Sequence, residues 1–104
     1  MKQRAFRMQL KAGVADEYRR RHDNLWPGLA LALQEAGIFD YSIFLDEATL
    51  SLFAVLRLRD GDTSGALASE PVMRRWWDYM ADLMETEVGS RPRERPLTPM
   101  FHLP

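Results

Sequence analysis

An α+β fold, with helices on one face of an antiparallel sheet, is the architecture this sequence predicts, and three observations carry it. Phe6, Met8 and Leu10 alternate with polar residues at period two, and two later stretches read as strands with apolar residues on both faces. Two other stretches repeat at helical spacing, and the order along the chain is strand, helix, strand, strand, helix, tail. The second and third strand patterns are separated only by Asp46-Glu47-Ala48-Thr49, a connection short enough to make them a hairpin.

In the first strand Phe6, Met8 and Leu10 alternate with Arg7, Gln9 and Lys11, and Gly13 ends it. Val14 to His22 is polar-rich and helical. The residue before a proline is steered out of the α region, so Trp26-Pro27 ends or bends that helix. Asn24 or Asp23 is then placed to cap a second helical piece with Pro27 in its first turn, running through Leu29, Leu31, Leu33 and Ala36 until Gly37 stops it.

Strict alternation from Ile38 to Leu45 puts Phe39, Tyr41, Ile43 and Leu45 on one face of the second strand and Ile38, Asp40, Ser42 and Phe44 on the other. Leu50 to Arg59 forms the third strand, apolar on both faces, with Leu52, Ala54 and Leu56 opposite Phe53 and Val55. After the Asp60-Gly61-Asp62 turn, Thr63 to Ser69 reads as a short helix. A longer one from Pro71 carries Val72, Met73, Trp76, Trp77, Met80, Leu83 and Met84 as a broad stripe. Gly89 to Pro99 reads as irregular, and Met100 to Pro104 as a last extended piece docking on the fold.

This order is that of a ferredoxin-like domain, one domain over residues 1–104. One sheet face has no helix to cover it, and the hairpin strands are apolar there as well. A second copy of the chain is the cheapest cover, so a homodimer of face-to-face sheets is expected.

Composition excludes several function classes. The 104 residues are 46% hydrophobic and 28% charged with a formal net charge of -1, which gives no electrostatic footprint for nucleic acid or an anionic membrane. There is no cysteine, hence no disulfide framework and no thiolate nucleophile. Met1 to Phe6 lacks the apolar segment of a signal peptide, and no run is long enough to span a membrane, so a cytosolic protein is expected.

The chemistry is concentrated between Glu17 and Leu29. Tyr18 and His22 stand four residues apart, on one helix face, with Arg19, Arg20 and Arg21 around the remaining circumference. A lone histidine or a lone aromatic is more often structural, and an arginine run is usually a solvated face. Here the phenol, the imidazole and Trp26 occur together beside a helix end. Metal is weakly supported, since His22 and His102 are the only histidines and no metal-ligand spacing occurs. There is no glycine-rich phosphate loop and no serine in a nucleophile-elbow setting. Proton transfer by His22 remains. Trp76-Trp77, about 100° apart on a helix, are too bulky to be buried together easily, and one is expected to face a cleft. An indole face and its N–H suit the C–H faces and hydroxyl edges of a sugar.

Ala5-Phe6 with Met8-Gln9, Glu17-Tyr18 with Arg20-Arg21-His22, Trp26-Pro27, Tyr41 with Leu45-Asp46, Leu52-Phe53-Ala54, Arg75-Trp76-Trp77 with Tyr79-Met80, and Phe101 with Leu103-Pro104 together resemble the L-rhamnose mutarotases from end to end. The chain departs from that pattern at Gly28, where a glutamate is usual, and at Asp40, where an amide is common. The resemblance implies a dimeric α/β-barrel fold and interconversion of the α and β anomers of L-rhamnose without a cofactor. It implies His22 as proton donor, with Tyr18, Tyr41, Trp76 and Trp77 as sugar contacts. The base that takes the anomeric proton is not evident; Asp40 and a bound water are the candidates. Two rivals share the architecture: a non-catalytic ligand-binding module, and an oxygenase using His22 on haem or metal.

Overall fold

The computed structural model describes residues 2–104. Four strands, β1 (Lys2–Gln9), β2 (Ile38–Asp46), β3 (Ser51–Leu58) and β4 (Arg95–Pro96), accompany three α-helices, α1 (Ala15–Asp23), α2 (Pro27–Glu35) and α3 (Pro71–Met80). Short 3₁₀ turns at Ser64–Ser69 and Ala81–Leu83 flank α3. The sheet order is β2-β3-β1-β4 with every pairing antiparallel, the ferredoxin-like arrangement.

The alternation in β1 and β3 works as expected. Phe6 pairs with Ala54 and Met8 with Leu52, and all four are buried beneath the helices. In β2 the alternation is interrupted. Ile38 pairs with Leu58 and Phe39 with Arg57, but Ser42 pairs with Val55, so one extra residue is accommodated between Phe39 and Ser42. Asp40 takes φ 48 within this bulge. An odd insertion flips the side-chain alternation. Ile38, assigned by strict alternation to the face away from Ile43, is therefore buried on the same face, and Phe39 lies opposite. Tyr41, Ile43 and Leu45 keep the face expected of them.

The α1–α2 break is where Trp26-Pro27 requires it, with Pro27 at the start of α2 and Trp26 extended at φ -62, ψ 128. Asn24 does not cap α2. Its Nδ2 donates back to the Arg20 carbonyl at 2.8 Å, closing α1 instead. After α2, Gly37 turns at φ 91, where a Cβ would stand 3.0 Å from that of Asp62; only glycine fits. The tail also differs from expectation. Arg95–Pro96 is a strand beside Phe6 and Arg7, extended by the Leu97 N–H donating to the Ala5 carbonyl at 2.9 Å. Met100, Phe101 and Leu103 do not dock on their own chain and are 89%, 77% and 79% exposed.

Two sheet faces result. Leu29, Leu52, Leu56, Leu67, Met80 and Leu83 fill the core between the helices and the covered face. The opposite face carries Phe39, Phe44, Phe53 and Val55, of which Phe44 is 64% exposed.

Candidate active site

Between the helices and the covered sheet face lies an open cavity of about 770 Å³, within the size range of small-molecule sites. Tyr18 and His22 enter it from α1, Tyr41 from β2, and Trp76 and Trp77 from α3, so all five predicted site residues line one space. They also surround a smaller recess of about 70 Å³.

Helical spacing brings the Tyr18 and His22 rings to a centroid separation of 4.4 Å. Trp76 stands edge-on to His22 at 5.3 Å and edge-on to Trp26 at 5.1 Å. Trp26 in turn stacks on Tyr79 at 5.4 Å, so it backs Trp76 and does not line the cavity. Of the two adjacent indoles, Trp76 is the buried one and Trp77 the half-buried one; both reach the cavity, and the Arg91 guanidinium lies 5.4 Å above the Trp77 ring.

The imidazole is held in a defined state. Nδ1 lies 3.0 Å from the Tyr18 carbonyl, and a carbonyl only accepts, so Nδ1 carries a proton. Nε2 then has no protein partner among the described residues. Burial lowers the His22 pKa; the bond to the Tyr18 carbonyl and the nearby Asp23 charge oppose this. A proton on Nε2 is accordingly given up more readily than from an exposed imidazolium. Burial raises the pKa of the Tyr18 hydroxyl, and Tyr41 is pushed up to about 12, by burial first and then by the Glu94 charge. Both phenols remain hydrogen-bond donors at neutral pH. The 39% of Tyr41 that is accessible includes its edge on the cavity.

The arginines divide by role. Arg21 is held by Glu17 at 2.7 Å, by Asp82 at 2.9 Å and by the Tyr79 carbonyl at 2.7 Å, and its guanidinium lies 4.4 Å from the Tyr79 ring centre. It fastens α1 to the end of α3 and fixes where His22 meets Trp76. Arg20 pairs with Glu17 on the surface, and the two guanidinium groups depress the Glu17 carboxyl to about 2. Arg19 lines the cavity.

Asp40 is excluded as the counter-base by position. Its side chain is 69% exposed, 4.0 Å from Arg57, and does not line the cavity. Among the charged residues that line it and that sequence reasoning missed is an ion pair, Arg4 from β1 with Glu94 from the segment before β4, joined at 3.0 Å. They are 90 positions apart, and no local pattern links them. Among the described residues no group of three or more metal-ligating side chains occurs, and no helix is long and apolar enough to cross a membrane.

A sequence model of L-rhamnose mutarotases matches residues 3–103. An L-rhamnose mutarotase of Burkholderia ambifaria is 62% identical over 99 residues, covering 95% of each chain. One from Acidiphilium cryptum is 57% identical over the full length of both. The crystal structure of an L-rhamnose mutarotase from Formosa agariphila superimposes with a TM-score of 0.93 at 36% identity, covering 100% of both chains.

Proposed function

The chain belongs to the L-rhamnose mutarotase family and is an isomerase of sugar anomers; we propose that it converts α- and β-L-rhamnose through proton transfer by His22. The observation that supports this reading is the bond from Nδ1 to the Tyr18 carbonyl, which leaves Nε2 of a cavity-lining histidine without a protein partner among the described residues.

In this mechanism Nε2–H donates to the ring oxygen of the pyranose while the anomeric hydroxyl loses its proton. The C1–O5 bond breaks and C1=O1 forms. Rotation about C1–C2 presents the other aldehyde face, and the 5-hydroxyl adds to it. Nε2 takes back the proton from that hydroxyl, so His22 ends as it began. With Asp40 outside the cavity, a water takes and returns the anomeric proton. Trp76 and Trp77 offer apolar surface to the sugar's C–H groups, and the protonated Tyr18 and Tyr41 hydroxyls donate to its oxygens. No step calls for a cofactor.

Saturation-transfer NMR between the two anomeric protons of L-rhamnose tests the function. Exchange above the buffer rate is expected with the protein present. Binding without exchange would point to the passive module, and haem or metal bound to the purified protein would point to the oxygenase.

We also propose a homodimer, in which a second copy covers the exposed face bearing Phe39, Phe44, Phe53 and Val55. A sedimenting dimer at micromolar concentration is expected; a clean monomer would refute it. We also propose a cytoplasmic location, with which a chain without cysteine is compatible.

A further inference from the structure

Of the four carboxylate residues that line the main cavity, Asp16, Asp23, Glu47 and Glu94, Glu94 alone also lines the smaller recess beside His22. Glu94 and Arg4 form an ion pair at 3.0 Å, with side-chain exposures of 22% and 45%. Both line the main cavity with His22, and Glu94 alone of the two also lines the smaller recess shared by His22, Tyr18 and Tyr41. The carboxylate is thus on the same small space as the proposed proton donor.

Its backbone is held from both sides. The Arg93 N–H donates to the Glu85 carbonyl at 3.1 Å, and Arg95 is paired with Arg7 in the sheet. Residue 94 therefore cannot drift along the sheet edge, and the Arg4 Nη2 donates to Oε2 and orients the carboxylate. Oε1 has no protein donor among the described residues. An ionised carboxylate is acceptor-only and has capacity for several hydrogen bonds, of which Arg4 supplies one. The partners that complete such a group in a cavity are O–H donors. A pyranose presents vicinal hydroxyls, whose two protons suit one carboxylate. The neighbouring Tyr41, kept protonated, adds a donor where the carboxylate offers an acceptor.

We propose that Glu94, oriented by Arg4, binds ring hydroxyls of the sugar and helps to set which pyranoses are accepted. This rests on reading the cavity as a sugar site. Glu94 holds substrate and performs no proton transfer, so its loss weakens binding more than turnover.

The test measures anomer exchange by wild type, Glu94→Gln and Glu94→Ala with L-rhamnose and its 2-, 3- and 4-deoxy analogues. The KM for L-rhamnose is expected to rise about tenfold or more in both variants, with kcat changing far less. The sharper readout is selective. Removing the hydroxyl that Glu94 grips should penalise the wild type about tenfold or more in kcat/KM, and that penalty should disappear in Glu94→Ala. A general loss of structure would lower all four sugars alike and would not erase one penalty, and the near-isosteric Glu94→Gln supplies the comparison if the alanine variant folds poorly. Unchanged KM in Glu94→Gln, or equal analogue penalties in wild type and variant, would overturn the proposal. A wild-type protein with no anomer exchange would instead remove the sugar reading itself, and Glu94's role with it.

Discussion

The two faces of the sheet are built from similar strands and differ in what covers them. Beneath the helices, Phe6, Leu52, Ala54 and Leu56 are buried, and several charged or titratable groups, Arg4, His22 and Glu94 among them, reach the cavity. On the opposite face Phe39, Phe53 and Val55 stay outside the cavity, and Phe44, which borders its rim, is 64% exposed. Apolar residues are common to both. What distinguishes the functional face is enclosure, which changes the acidity of His22 and Tyr41 and gives a small ligand walls on several sides.

Substitutions that separate the faces sharpen the comparison. His22→Ala should lower anomer exchange by about 10²–10⁴-fold, the usual worth of one positioned acid or base, while circular dichroism stays native. An unchanged rate would remove His22 from the mechanism. Leu29→Ala, under the helices, opens a cavity in the core and should cost about 2–5 kcal/mol in denaturant unfolding. Phe44→Lys, on the open face, should leave protomer stability within about 0.5 kcal/mol yet shift sedimentation toward the monomer. Equal destabilisation by the two would erase the distinction drawn here. Tyr41→Phe removes one hydroxyl from the cavity and should reduce kcat/KM about fivefold, the worth of one neutral hydrogen bond.

The pH dependence follows from enclosure too. Because burial lowers the His22 pKa below 6.5, ring opening that needs the imidazolium should be fastest below that lowered value and slow as pH rises through it. Stability moves the other way. The fold favours neutral His22, so this contribution is complete above 6.5 and is lost as pH falls from there through the folded-state pKa. Rate profiles of wild type against His22→Ala, and urea midpoints across the same range, check both signs.

What was legible in the sequence is local. Tyr18 and His22 share a face because four residues make about one helical turn, and the adjacent indoles lie on a helix whose stripe is easily seen. The order of the first three strands along the chain and the β2–β3 hairpin follow from spacing, whereas β4 lies in a stretch that reads as irregular. The β2 bulge was not legible: nothing in Phe39-Asp40-Tyr41 announces the extra residue, and φ 48 at Asp40 is a property of the folded sheet. Tyr41 was placed correctly because the irregularity falls before Ser42 and leaves its relation to Ile43 intact. Asn24 could serve either helix, and the choice of the Arg20 carbonyl depends on how α1 ends. Arg4 and Glu94 meet only because β4 returns beside β1, a long-range pairing that no local pattern encodes.

Soaking crystals of the protein with L-rhamnose tests the central claim most directly. The mechanism predicts the pyranose in the cavity with its ring oxygen about 2.6–3.2 Å from Nε2 of His22. A sugar bound with Nε2 out of reach of that oxygen, or bound elsewhere on the molecule, would contradict it.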